Sequence, residues 1–276
     1  MNRSVDYFRT KIGRICAHSY VLANLWDVPF VIRRLKVFLE FKKTVIEKDD
    51  QIYQFATRIG IGQIKEEIEW VADLVQQYQP RNIVEIGTQK GGNAFYLSNF
   101  APVESKLITI DIAPYLQWAM TFHNHRIMTQ RKLKAGLRIR KPGLPFTSGY
   151  TLLSKQLIRR FSNKNCQVIP YYTYLNPEED AAFIVQNICC GENLDLIFYD
   201  ADKTEEGVRA ILKAYVPRLK TGGMLVIQDI NYAADSGNNG MTLFWENLDK
   251  SLFRKLGERI VNPSGLGCGI GAAIKL

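Results

Sequence analysis

The residues best suited to ligand chemistry lie in one stretch, residues 82–93, which reads NIVEIGTQKGGN. A β-branched apolar run reaches Gly87, and a polar loop then leads to Gly91 and Gly92. Glycine tolerates positive φ and lets a ligand come close to bare backbone. A strand, a tight turn and a helix in this order are typical of the opening unit of a nucleotide-binding α/β domain.

The spacing of the glycines separates this loop from the dinucleotide-binding type. Loops of the NAD type carry a glycine two residues after the first one, where the backbone approaches a pyrophosphate. This chain has Gln89 there, and its next glycines are Gly91 and Gly92. An acid, Glu85, stands two residues before Gly87. The pattern favours a nucleoside-binding site, although a purely structural turn between strand and helix has the same composition.

A second candidate for ligand binding is Asp111, which follows the apolar run of residues 107–110. In a doubly wound sheet, an acid at the carboxyl end of the second strand lies over the ligand crevice, where it accepts hydrogen bonds from ribose hydroxyls. Its distance from the glycine loop fits the usual separation of about 20 residues. The alternative interpretation is that Asp111 caps a helix.

Two histidines, His123 and His125, are candidate catalytic bases. Histidine is the usual general base because its pKa lies near neutrality. A lid that closes over an acceptor could deliver either side chain. The alternative interpretation is that both are ordinary surface histidines in a basic loop.

The elements that must position these residues alternate along the chain. Apolar runs predict strands at residues 82–86, 107–110, 167–170, 195–200, 224–229, 259–261 and 269–274. Helices are predicted at residues 63–78, 180–188, 210–219 and 244–248, and Thr221–Gly223 is expected to close the third. This order, finished by a hairpin, predicts an α/β fold: a Rossmann-like, doubly wound, mostly parallel seven-stranded sheet with an antiparallel C-terminal strand.

Composition bounds the organisation of the chain. With 276 residues and 46% hydrophobic content, it can bury one full core. We expect residues 1–60 to form an N-terminal helical appendage and residues 61–276 to form one domain, with residues 112–165 as a basic, lid-like insertion. The net charge of +9 is concentrated in that insertion, because no acid occurs between Asp111 and Glu178 while eleven Lys and Arg residues do.

Other features argue against several protein classes. The five cysteines form no CxxC pair with metal-site spacing, so we expect neither a disulfide framework nor zinc. The N-terminus lacks the apolar run of a signal peptide. No apolar stretch approaches the roughly 18 residues of a membrane span. A cytoplasmic location is the expectation.

Two stretches together resemble a known family. Residues 64–111 and 194–229 look like a class I S-adenosylmethionine-dependent methyltransferase. The most specific part is LIFYDADK at residues 196–203, followed by KTGG at residues 220–223. More narrowly, the chain is similar to small-molecule O-methyltransferases of the cephalosporin-hydroxylase and macrocin-type groups, and more distantly to catechol-type enzymes. The resemblance makes residues 61–276 a class I methyltransferase domain.

The resemblance implies S-adenosylmethionine as the methyl donor. The cofactor-binding residues it implies are Glu85, Gly87, Thr88, Gly91, Gly92, Asp111 and Asp200. In the catechol and caffeoyl-coenzyme A types, the first acid of the Asp-x-x-Lys stretch, here Asp200, binds magnesium. The lysine of that stretch, here Lys203, deprotonates the acceptor hydroxyl in the catechol type, and it would be catalytic beside His123 and His125.

A second metal ligand would be Asp229, after the fifth strand. Carboxylates suit Mg²⁺, and Asp200 and Asp229 at adjacent strand ends could share one ion. Those families place asparagine after the second acid, whereas this chain has Ile230. The alternatives are that both acids are solvent-facing and that Lys203 is a surface residue at a helix start.

The function that these features predict is methyl transfer to a small-molecule hydroxyl oxygen, with magnesium as an optional cofactor. The basic insertion suits an acidic or phosphorylated acceptor. The insertion could also bind an RNA acceptor, which is the first alternative. A non-catalytic scaffold at a membrane surface is the second, because residues 31–43 resemble a basic amphipathic helix. We expect a homo-oligomer, with peripheral membrane contact as an option and no nucleic-acid partner.

Overall fold

The computed structural model describes Lys36 and residues 49–112, 165–173, 176–231, 240–262 and 268–276. Seven strands form one sheet: β1 Asn82–Ile86, β2 Ser105–Ile112, β3 Cys166–Thr173, β4 Leu194–Tyr199, β5 Leu219–Asn231, β6 Phe253–Arg259 and β7 Cys268–Lys275. The helices of the described residues are α1 Asp49–Ile59, α2 Lys65–Tyr78, α3 Gly92–Ser98, α4 Pro177–Phe183, α5 Glu205–Tyr215 and α6 Gly240–Glu246. A π-helical turn, Ile184–Ile188, extends α4, and a 3₁₀ turn, Val216–Arg218, extends α5.

The strand order is β3-β2-β1-β4-β5-β7-β6. Neighbouring strands from β3 to β5 run parallel, and β7 runs antiparallel to both β5 and β6. The prediction of a doubly wound, mostly parallel seven-stranded sheet with an antiparallel C-terminal strand is confirmed. The order reverses between β1 and β4, which makes their carboxyl ends the place where such folds bind ligands.

Both faces of the sheet are apolar, as a sheet covered by helices on two sides requires. Along β1, Ile83 packs with α1, α2 and α3, whereas Val84 packs with α4, α5 and α6 on the opposite face. Successive side chains of a strand point to opposite faces. The two cores therefore cover both faces of the central strands.

Helix α1 belongs to the first of these cores. Ile52, Phe55 and Ala56 are buried there and pack with residues of α2 and α3. The predicted N-terminal appendage, residues 1–60, thus contributes its last helix to the core of the domain. Residues 1–48 of the appendage, apart from Lys36, lie outside the described residues. Most of the basic insertion lies outside them as well.

Some predicted boundaries were wrong. Residues 221–223 do not close a helix: α5 and its 3₁₀ turn end at Arg218, and Thr221–Gly223 lie in β5. Pairing of β4 with β5 shifts between Leu194 and Leu196, so these glycine-rich residues form an irregularity in the strand. The sixth strand is Phe253–Arg259 rather than residues 259–261.

Within the described residues, none of the helices combines the length and the apolar character that crossing a bilayer would require.

Candidate functional site

The site forms where β1 and β4 end side by side. The backbone N–H of Asp200 donates to the carbonyl oxygen of Ile86 at 2.8 Å, which extends the pairing of the two strands by one residue. On the other side of β1, the N–H groups of Gly87 and Thr88 donate to the carbonyl of Ile110 at 2.9 and 3.2 Å. The loop after β1 is therefore fastened to both neighbouring strands.

Three backbone conformations shape this loop. Gly87 has φ +105° and Gly91 has φ +84°, both in the region that favours glycine. Gln89 also adopts a positive φ of 47°. Its N–H donates to Oδ2 of Asp111 at 2.8 Å, so the acid at the end of β2 holds the loop in place. A third glycine, Gly92, allows close approach, because a Cβ atom there would lie 2.3 Å from the backbone nitrogen of Ile61.

A cavity of about 190 Å³ opens between this loop and the ends of β4 and β5. The glycine loop contributes residues 87–89, and the start of α3 contributes Gly92 and Asn93. The segment before α2 forms a second wall with Gly60, Gly62 and Gln63. The remaining wall consists of Asp200, Lys203, Gln228 and Asp229. The cavity thus lies at the topological switch point of the sheet.

A buried amide network joins two of these walls. Nε2 of Gln63 donates to Oδ2 of Asp200 at 3.0 Å. When the Gln228 amide is oriented with its nitrogen towards Asp200, it donates to Oδ1 at 2.7 Å and its oxygen accepts from Gln63 at 2.9 Å. This orientation pairs both polar atoms of the Gln228 amide and leaves Oε1 of Gln63 without a partner among the described residues. The network holds Gln63 against the ends of β4 and β5 through its Nε2 atom.

Lys203 links the two acids at these strand ends. Its Nζ atom lies 2.5 Å from Oδ1 of Asp200 and 2.6 Å from Oδ2 of Asp229. The Asp200 and Asp229 side chains are 8% and 9% exposed, against 25% for that of Lys203. The ammonium therefore compensates two nearly buried carboxylates while one side of it faces the cavity.

Comparison with known proteins decides the family. The model of a family described as "Methyltransferase domain" matches residues 84–230, which is more than half of the chain. The chain belongs to this family. None of the curated proteins compared with it matches.

Solved structures resemble this methyltransferase domain in fold. An O-methyltransferase from Bacillus cereus, solved in complex with SAH, aligns with a TM-score of 0.52 and 17% identity, covering 87% of this chain and 97% of its own. A cofactor-bound protein from MTB, Rv0187, aligns with a TM-score of 0.51 and 16% identity, covering 85% of this chain and 94% of its own. At these identities the likeness shows the fold alone. Together with the family match, it confirms the predicted resemblance to class I methyltransferases.

The electrostatics of the methyltransferase cavity favour a charged Lys203. Burial lowers the pKa of Lys203, but Asp200 and Asp229 outweigh that effect, and the net pKa is raised above 10.5. Burial raises the pKa of Asp200 to about 6, against the opposing influence of Lys203. At neutral pH the lysine is therefore an ammonium and Asp200 is mostly a carboxylate, so the cavity presents a fixed ion pair.

A chain of hydrogen-bonded side chains lies beneath the loop. Thr109 donates to Oε2 of Glu85, and its hydroxyl also bonds to that of Thr88. Glu85 is fully buried, and burial raises its pKa to about 8. Its Oε1 atom has no hydrogen-bond partner among the described residues.

The structure brings together part of the predicted binding set. Gly87, Thr88, Gly92 and Asp200 line the cavity. Glu85, Gly91 and Asp111 do not: Glu85 lies under the loop, Gly91 caps α3, and Asp111 contacts the loop through Gln89. Of the predicted catalytic residues, Lys203 lines the cavity, whereas His123 and His125 lie outside the described residues.

Sequence reasoning missed Gln63, Gln228 and Asn93. Gln63 was placed inside a helix starting at residue 63, but α2 begins at Lys65 and Gln63 precedes it with its side chain in the cavity wall. The pair Gly60 and Gly62 just before it was the signal of an irregular, ligand-facing segment. Gln228 comes directly before Asp229 in an apolar strand. Nothing in the local sequence pattern indicates that Gln228 is a site residue.

The residues present do not fit the predicted magnesium ion at Asp200 and Asp229. The Lys203 ammonium lies between the two carboxylates. Asp200 already accepts hydrogen bonds on both oxygens, and Ile230 supplies no oxygen ligand where related families have asparagine. Within the described residues, no cluster of three or more His, Cys, Asp and Glu side chains could hold a metal.

Proposed function

We propose that this methyltransferase transfers a methyl group from S-adenosylmethionine to a hydroxyl oxygen of a small molecule. The observation that carries this proposal is a pair of unpartnered acceptors in the cavity wall. Oε1 of Gln63 and Oδ1 of Asn93 are buried and have no hydrogen-bond partner among the described residues. Buried polar atoms are nearly always partnered, so both atoms suit a ligand that brings its own donors.

The chemistry of these acceptors fits the methionine part of the donor. Its α-ammonium group carries N–H donors and a positive charge, which suit neutral and anionic oxygen acceptors. Asp200 adds a buried carboxylate to the same cavity. The residues present therefore fit S-adenosylmethionine, and the SAH bound to the Bacillus cereus neighbour supports the assignment.

The glycine loop and Asp111 fit the nucleoside part. Gly87 offers bare backbone to the cavity, and Asp111 lies next to it at the end of β2, tied to Gln89. A carboxylate in this position accepts hydrogen bonds from ribose hydroxyls in folds of this type. We assign Asp111 this role.

S-adenosylmethionine supplies, when bound, a methyl group on a positively charged sulfur. The acceptor oxygen forms the new C–O bond while the C–S bond breaks, and the electron pair of the C–S bond goes to sulfur. The hydroxyl proton passes to water. Much of the rate enhancement in such an in-line displacement comes from positioning. The walls of the cavity provide that positioning, and the Lys203 ammonium favours loss of the hydroxyl proton, because it stabilises the oxyanion that then attacks the methyl carbon.

Calorimetry tests the first half of the proposal. The purified full chain is titrated with S-adenosylmethionine and with its demethylated product. We expect saturable binding of both at one site per chain. No binding at millimolar ligand would contradict the proposal.

The acceptor is tested by transfer of a labelled methyl group. Small hydroxyl compounds, with and without a phosphate or carboxylate group, are compared with total RNA. We expect label in a small hydroxyl compound, with preference for the acidic ones because eleven basic residues lie between Asp111 and Glu178. Label in RNA alone would overturn the small-molecule assignment.

A further inference from the structure

The Asp200–Lys203–Asp229 cluster has the arrangement of a cation site with the cation already supplied by the chain. The Nζ atom lies within 2.6 Å of one oxygen from each acid. Asp200 directly follows β4, and Asp229 lies near the end of β5. Lys203 comes three residues after Asp200. An ammonium thus joins two strand ends that would otherwise carry adjacent, nearly buried negative charges.

Both carboxylate oxygens of Asp200 are already engaged by other side chains. Its Oδ1 accepts from Lys203 and from the Gln228 amide, and its Oδ2 accepts from Gln63. Mg²⁺ binds hard oxygen ligands in a near-octahedral arrangement. Binding between these acids would require expulsion of the ammonium and loss of a buried ion pair.

The backbone conformations at Asp229 and just before Lys203 bring the acids and the lysine together. Asp229 adopts φ +60°, a backbone conformation that a non-glycine residue rarely takes. The pairing of β5 with β7 is interrupted there, between Gln228 and Asn231. The lysine is preceded by Asp202, whose Oδ1 accepts from the backbone N–H of Thr204 at 2.9 Å. A strained acid and a structured turn hold the two partners together.

We propose that the ammonium of Lys203 takes the place of a divalent cation, so that this enzyme performs methyl transfer without a metal ion. The inference rests on the proposed function and deepens it. The ammonium pairs with Asp200 and Asp229, and Lys203 also lines the cavity. Lys203 in this role holds the acceptor oxygen and stabilises its negative charge, as a metal ion would.

Metal binding is measured directly, on the full chain after chelator treatment and dialysis. Mn²⁺ titration is followed by calorimetry and by paramagnetic resonance for the wild type, for Lys203→Met and for Lys213→Met. Lys213 lies exposed on α5 and serves as the matched control. We expect no stoichiometric binding by the wild type or the control. We expect Lys203→Met to bind Mn²⁺ at least about tenfold more tightly, because its two carboxylates lose their cation.

A second variant keeps the experiment decisive. The double variant Lys203→Met with Asp229→Asn is expected to lose the gained Mn²⁺ binding, because one acid is removed. Stoichiometric Mn²⁺ binding by the wild type would overturn the inference, and so would a folded Lys203→Met protein that gains no Mn²⁺ affinity. If Lys203→Met does not fold, the wild-type titration decides alone: no binding supports the inference.

These titrations contain no methyl donor, so their outcome is independent of the proposed function. A matching activity measurement compares the chelator-treated wild type with and without added Mg²⁺. We expect the same rate in both. A rate that falls at least about tenfold on chelation and returns with Mg²⁺ would overturn metal independence while leaving the methyl-transfer proposal intact.

Discussion

Gly87 and Asp200 meet backbone to backbone at the switch point of the sheet. A Cβ atom on Gly87 would lie 1.8 Å from the carbonyl oxygen of Asp200. This contact lets the loop after β1 turn directly over the end of β4, and it brings the glycine loop and the acid to the same cavity. The absence of a side chain at residue 87 is therefore a requirement of the site.

Gly87→Ala is expected to destabilise the fold by about 3 kcal/mol or more. The alanine would suffer both from φ +105° and from the clash with the carbonyl group. Urea unfolding measures the loss. Gly62→Ala is the matched control, since it lies near the same cavity but its Cβ would meet nothing within 4 Å. Equal stability of the two variants would show that the contact is not tight.

Asp111→Ala is expected to weaken S-adenosylmethionine binding by about 10- to 100-fold, because hydrogen bonds to a charged acceptor are lost. The loss should exceed that of Asp229→Ala, because the Asp229 carboxylate is already paired with Lys203. Calorimetry gives both affinities. Asp73→Ala, at an exposed position on α2, controls for the charge change. If Asp111→Ala binds as the wild type does, the ribose assignment is wrong.

Gln63→Leu is expected to lower methyl-donor affinity by about tenfold, since the cavity loses an acceptor and Asp200 loses a donor. Its side chain is 5% exposed, so the leucine remains buried without a new surface patch. Gln76→Leu, on the exposed side of α2, is the control. If Gln63→Leu binds the methyl donor as tightly as the wild type does, the amide network plays no part in donor binding.

Stability should fall as pH rises from about 4.5 to 8. Burial raises the pKa of Glu85 from 4.5 to about 8, so the folded state holds a proton that the unfolded chain has released. That gap corresponds to a loss on the order of 5 kcal/mol across the window. Asp200, whose pKa burial raises to about 6, adds to the loss at the acidic end.

Glu85→Gln tests the origin of this pH dependence. A neutral amide cannot release the proton, so the free energy of unfolding should become flatter between pH 6 and pH 8. Urea unfolding of the wild type and the variant at several pH values measures the difference in slope. Equal slopes would mean that Glu85 is already ionised in the folded protein.

Local pattern was enough for much of the fold. The run that ends at Gly87 reveals a strand and turn because apolar and β-branched residues stop at a residue that tolerates positive φ. Asp111, Asp200 and Asp229 were recognisable for the same reason, since each follows an apolar strand. The end of α5 was misplaced, because Thr221–Gly223 has the composition of a helix stop but lies in a strand irregularity.

By itself, the sequence determined that the chain alternates strands and helices, that a glycine loop follows the first strand, and that acids stand at later strand ends. Only the tertiary structure decided what those acids contact. Gln63 and Asp200 are 137 positions apart in the chain, and they meet because α1 and α2 pack on the sheet and set the segment between them against the end of β4. The adjacency of β4 and β5 in the sheet places the Lys203 ammonium between two carboxylates. Those buried charges are stable because folding brings them their counter-charge.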